Sequence, residues 1–146
     1  MITFEKSIFI NRPQQEVFDF LTDPTNDSKW RDSAVSSEWV TEEPVGVGSK
    51  LRSVDKFLGR NLESTAEITT WDPPSTYGQK TLSGPVPFAF TISLEAQGGG
   101  TRLTMNVQAE FGGFFKMAEG LVGKQLEKQI ETDFNGLKRV LEEGQG

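Results

Sequence analysis

The chain has no cysteine and no histidine. The first absence removes disulfides, thiolate catalysis and cysteine-ligated metal. The second removes the commonest general base and metal ligand, so neither a Ser-His-Asp triad nor a His-zinc centre can be built. Basic residues are outnumbered, 15 against 21 acidic, for a formal charge of -6. That balance disfavours nucleic-acid partners and anionic membrane faces, which both need a basic surface. No run approaches the ~18 apolar residues of a membrane span. The opening segment lacks the basic-then-apolar order of a signal peptide, so a cytoplasmic protein is expected. No metal site and no cofactor are expected.

What remains is a chain of 146 residues, 35% hydrophobic and 25% charged. One domain, residues 1–146, is expected. Residues 2–10 alternate: Ile2, Phe4, Ile8 and Ile10 share a face, with Lys6 the exception. That period of two marks a half-buried strand. Asn11-Arg12-Pro13 ends it, and Val17, Phe18 and Leu21 then fall at helical spacing. Pro13 suits the first turn of that helix. Asp27 to Trp30 reads as a second short helical turn.

Six extended runs follow, at 36–41, 49–57, 61–72, 76–83, 87–97 and 101–111, each bounded by turn residues. Gln97-Gly98-Gly99-Gly100 is the clearest hairpin signal. Runs joined by short turns pair as an antiparallel meander. Polar Thr104, Asn106 and Gln108 alternate with Leu103, Met105 and Val107, so one sheet face meets water. After Gly112-Gly113 the period turns helical and holds to Glu143, with Leu126, Ile130, Phe134, Leu137 and Leu141 in one stripe. Ala118 and Val122 extend it backward.

The long helix is the natural cover for the apolar sheet face. In a meander the turns alternate between two ends. One end collects Phe57, Leu58, Leu82, Val86, Phe88, Phe111, Phe114 and Phe115. Apolar residues clustered in connections call for a reason. The favoured one is the mouth of a ligand cavity between helix and sheet. A filled core and a partner-binding surface are the alternatives. Candidate lining residues are Phe57, Leu62, Ser64, Ala66, Tyr77, Gln79, Thr81, Phe88, Phe90, Met105, Phe111, Phe114, Phe115, Ala118, Leu121 and Val122. Among these, Ser64, Tyr77 and Gln79, together with Asp55, are candidates to hydrogen-bond a ligand hydroxyl or carbonyl. The other reading is that they pair with one another.

Asp55 is the candidate general base by elimination, since an apolar cavity would raise its pKa. A register slip of one residue would turn it outward. Lys6 reads as an edge residue, Trp30 as structural packing, Trp39 and Trp71 as sheet packing, and Glu127 and Glu131 as the wet helix face. Glu42, Glu43 and Asp72 could hold a cation only weakly.

The order of strand, two short helices, six strands and long terminal helix resembles the START-like superfamily, also called the Bet v 1 or SRPBCC fold. Ser7 to Pro13, Glu16 to Pro24 and Trp30 resemble the start of its polyketide cyclase/dehydrase-like branch. The resemblance implies an α+β helix-grip fold, with a seven-stranded curved antiparallel sheet wrapped around the C-terminal helix. It implies a small hydrophobic or aromatic ligand, lipid- or polyketide-like, held between helix and sheet. Some members catalyse cyclisation or dehydration without metal. Others, resembling activators of heat-shock chaperone ATPases, bind proteins. A protein partner or a homodimer is therefore also open.

Overall fold

The structure, a computed structural model, describes residues 2–42, 44–57, 59–84, 87–109 and 119–143. Of Ile2, Phe57 and Glu119 it describes the backbone alone. Strand β1 (Ile2–Ile10) leads into helix α1 (Gln14–Leu21), a 3-10 turn (Pro24–Asn26) and helix α2 (Asp27–Trp30). Six strands follow: β2 (Ala34–Trp39), β3 (Lys50–Phe57), β4 (Arg60–Asp72), β5 (Thr76–Ser83), β6 (Phe88–Gln97) and β7 (Gly100–Ala109). Helix α3 (Glu119–Glu142) closes the described chain. The second strand starts and ends two residues earlier than its sequence pattern implies. Pro13 lies just before α1 rather than inside its first turn.

The seven strands form one curved antiparallel sheet in the order β1-β7-β6-β5-β4-β3-β2. β2 to β7 are the expected meander, and β1 closes the far edge beside β7. Register puts the period-two faces together. Phe4 faces Val107, which faces Phe90, which faces Gln79. Asp55 stands opposite Leu62 and Ser53 opposite Ser64. This is the helix-grip architecture: α3 lies across the concave face, with α1 and α2 filling the remaining gap.

The core is densest under the C-terminal half of α3. Ile10, Val17, Leu103 and Leu137 are completely buried there, with Phe18 and Leu141 nearly so. Polar contacts pin that end of the helix to the corner after β1. Lys138 Nζ donates to the Phe9 carbonyl at 2.7 Å and pairs with Glu142 at 2.8 Å. The Asn11 amide donates to Glu142 at 2.8 Å, and Arg12 donates to the Glu142 carbonyl at 3.0 Å. Gly136 permits close approach of α3 to α2, because a Cβ there would stand 2.5 Å from the Trp30 carbonyl oxygen.

Lys6 sits on the edge strand, as its reading required. Its partners are Glu127 at 2.9 Å and Glu131 at 3.3 Å. Those two glutamates are thus not merely wet surface. They tie α3 to β1 on the side opposite α2, and their hydrogen bonds raise the Lys6 pKa.

Candidate functional site

Over residues 126–134 α3 stands off the sheet, and a cavity of about 230 Å³ opens beneath it. The helix contributes Leu126, Gln129, Ile130, Asp133 and Phe134 to the wall. β3 contributes Leu51, Ser53 and Asp55, and β4 contributes Leu62, Ser64 and Ala66. β5 to β7 add Tyr77, Gln79, Thr81, Phe88, Phe90 and Met105. The segment from α1 to β2 closes the side with Leu21, Pro24, Asp27, Trp30, Arg31 and Trp39. The wall reaches Lys56, Leu62, Thr81 and Phe88, next to the connections at 58–59 and 84–87.

Nine of the sixteen residues named from sequence stand on this wall: Leu62, Ser64, Ala66, Tyr77, Gln79, Thr81, Phe88, Phe90 and Met105. Val122 is buried but is not part of the wall, and Leu121 points away, 74% exposed. The physical reason is the helical turn: adjacent positions face about 100° apart, so Leu121 cannot share the inner face with Val122. Phe111, Phe114, Phe115 and Ala118, like Leu58 and Val86, lie outside the described residues, as does the side chain of Phe57.

The inward polar residues of the sheet find partners among themselves. Gln79 Nε2 donates to Tyr77 Oη at 2.7 Å, and the Ser53 and Ser64 hydroxyls lie 3.3 Å apart. Thr81 donates to the Phe88 carbonyl at 3.0 Å. Burial raises the Tyr77 pKa, so its phenol is neutral and able to donate. Its ring also anchors an edge-to-face chain, with Trp71 at 6.0 Å and Phe90 at 5.7 Å. Trp71 itself packs on Phe18 at 5.3 Å.

Asp55 faces inward, so the register slip is absent. It is ion-paired with Arg31. Burial raises the Asp55 pKa, and Arg31 partly restrains the rise. The other two wall aspartates carry the same burden. Asp27 is raised by burial, with Arg31 again opposing. Asp133 is pushed up to about 6, chiefly by burial, although Gln129 donates to it at 3.0 Å. Burial alone would lower the Arg31 pKa, but Asp55, Asp27 and Asp133 together outweigh it and raise it. The cavity thus has a polar flank of one guanidinium and three carboxylates.

Three of those residues, Asp27, Arg31 and Asp133, were missed from sequence as parts of a site. Asp133 had a readable signal: it follows Ile130 by three residues and Leu126 by seven, within the apolar stripe of α3. Arg31 had none, lying in an irregular stretch between α2 and β2. Trp30 does pack structurally, only 9% exposed, yet it also forms part of the wall, and its Nε1–H has no partner among the described residues. Arg52 sits on the outer face, 3.5 Å from Glu63. No cluster of three or more potential metal-ligating side chains occurs among the described residues, Glu42 and Asp72 included.

A wide cavity gripped between a terminal helix and a curved sheet defines a class of small-molecule-binding folds. The chain belongs to the polyketide cyclase/dehydrase and lipid transport family, whose model matches residues 1–142. The fold also matches solved structures. TTHA0849 from Thermus thermophilus superposes with a TM-score of 0.83 at 22% identity, covering 96% of this chain and 97% of that one. The Zhui aromatase/cyclase from a Streptomyces species gives 0.77 at 16% identity, covering 96% and 95%. A START superfamily protein from Mycobacterium smegmatis gives 0.73 at 13% identity, covering 95% and 98%. No curated protein sequence matches the chain. No helix among the described residues is long and apolar enough to cross a membrane.

Proposed function

We propose that the protein binds a compact hydrophobic or aromatic molecule in the cavity between α3 and the sheet. The observation that carries this reading is unfilled, mostly apolar space between α3 and the sheet. Leu137, Val140 and Leu141 near the end of α3 are buried in the core, whereas about 230 Å³ stays open beneath residues 126–134 of the same helix. An apolar cavity of about 150 Å³ already takes up benzene, so this one accommodates a larger ring system. Family membership supports the same reading. Leu62, Ala66, Phe88, Phe90 and Met105 form the apolar contact surface in this proposal, and the polar flank meets the ligand's head group.

The test is a thermal-shift and calorimetry series over aromatic and aliphatic ligands, run on wild type and Ala66→Phe. A bound ligand raises the melting temperature as RT ln(1 + [L]/Kd) predicts. The phenyl ring at position 66 fills the cavity, so the variant stays folded and loses the response. If no ligand class shifts wild type, or if Ala66→Phe responds equally, the cavity is not the site.

A catalytic reading, of cyclase or dehydratase type, is favoured by one group. A general base works best with a pKa near the working pH. Asp133, pushed up to about 6, meets that requirement. Asp55, the candidate from sequence, is held by Arg31 and suits proton transfer less well. In this reading Asp133→Asn abolishes turnover of a cyclisable substrate while Asp55→Asn reduces it less. The reverse order would remove Asp133 from the role.

A further inference from the structure

We infer that the cavity selects an aromatic amine in its cationic form and rejects a carboxylate of the same shape. The inference rests on the ligand-binding reading above and names the ligand class for that site. The wall places Asp27, Asp55 and Asp133 against one buried-flank cation, Arg31. Arg31 is already committed to Asp55. Lys56 and Lys80 also touch the wall, but both side chains are exposed on the outer face, and Lys80 lies 4.0 Å from Glu67. Among the described residues Asp27 and Asp133 therefore have no salt bridge of their own on the cavity wall, although both feel the Arg31 charge.

Asp133 is the deeper of the pair, only 7% exposed. Gln129, a neutral donor, is its side-chain hydrogen-bond partner. All three aspartates have raised pKa values despite Arg31, chiefly because burial takes the carboxylates out of water. A ligand cation would remove that imbalance, and a ligand anion would add to it. The aromatic part of the lining supplies the second requirement. Trp39, Tyr77, Phe88 and Phe90 present aromatic surface to the cavity. Aromatic faces stabilise a desolvated cation and pack against an aromatic body. Carboxylates and aromatic rings lining one cavity are complementary to a ring system bearing an ammonium group.

Three ligands of nearly equal shape separate charge from fit: naphthylmethylamine, naphthylmethanol and naphthoate. Calorimetry near neutral pH, on the intact protein, reads their affinities for wild type, Asp133→Asn and Asp27→Asn. The expected order is amine, then alcohol, then carboxylate, with about tenfold or more between first and last. Either Asn variant cuts amine affinity about fivefold to tenfold and leaves the alcohol unchanged. Two variants on different elements guard against a folding defect in one, which circular dichroism reports directly. If the alcohol or the carboxylate binds as tightly as the amine, the charge inference is overturned and the ligand-binding proposal stands. If the amine leads in both variants as it does in wild type, the carboxylates do not select it. If none of the three binds wild type, both readings fall.

Discussion

Replacing Asp133 with asparagine should make the protein more stable at neutral pH, because burial of this carboxyl burdens the fold. Its folded pKa of about 6 lies above the ordinary value of 3.8. A carboxyl whose pKa is raised by folding prefers the proton in the native state, so ionisation costs stability. At low pH the group is protonated in both states and the cost vanishes. As pH rises from about 4 to about 6 the unfolded chain ionises first, and stability falls by one proton's slope. Above that window the full cost remains, about two pH units or about 3 kcal/mol as an upper bound. Asp27 and Asp55 are shifted in the same direction and keep their own contributions. Urea unfolding of wild type and Asp133→Asn across that pH range measures the difference. The variant should gain up to about 3 kcal/mol near neutrality and nothing at the acid end. A variant that is less stable at every pH, or whose advantage does not change with pH, would refute the argument that burial burdens this carboxyl.

Three further outcomes follow from the same geometry. Arg31→Ala leaves Asp55 without its partner and should cost about 1–3 kcal/mol in chemical denaturation, with part of the loss recovered when Asp55→Asn is added. A double variant no more stable than Arg31→Ala alone would deny that the ion pair is the reason. Gly136→Ala improves helix propensity by about 1 kcal/mol, but its Cβ would lie 2.5 Å from the Trp30 carbonyl oxygen. A net loss of about 1–3 kcal/mol is therefore expected by urea unfolding, and a net gain would show that α2 and α3 can part at little cost. Lys6→Ala, which removes an exposed double ion pair, should change stability by about 1 kcal/mol or less, and less still at high salt.

Much of the architecture was legible because each element's sequence repeats at its own structural period. Phe88, Phe90, Ile92 and Leu94 read as one strand face, and Leu126, Ile130, Phe134 and Leu137 as one helix stripe, because burial was dictated by local alternation. The inward turn of Asp55 followed from the same rule. Leu121 shows its limit: next to a buried Val122 it was assigned to the cavity, and the helical rotation turns it out to solvent. The polar flank was less legible. Asp133 breaks an apolar stripe and could have been noticed, but Arg31 carries no local pattern.

The amino-acid sequence by itself determined the strands, the terminal helix, their antiparallel order and which faces turn inward, since these depend on neighbours a few residues apart. Tertiary structure alone decided that α3 packs into the core through Leu137 to Leu141 and stands off the sheet over residues 126–134. It alone brought Arg31 from the loop after α2 beside Asp55 on β3, with Asp133 on α3 closing the same flank. Those outcomes depend on volumes and charges meeting across distant segments, where no repeat in the chain records whether the space between them is filled.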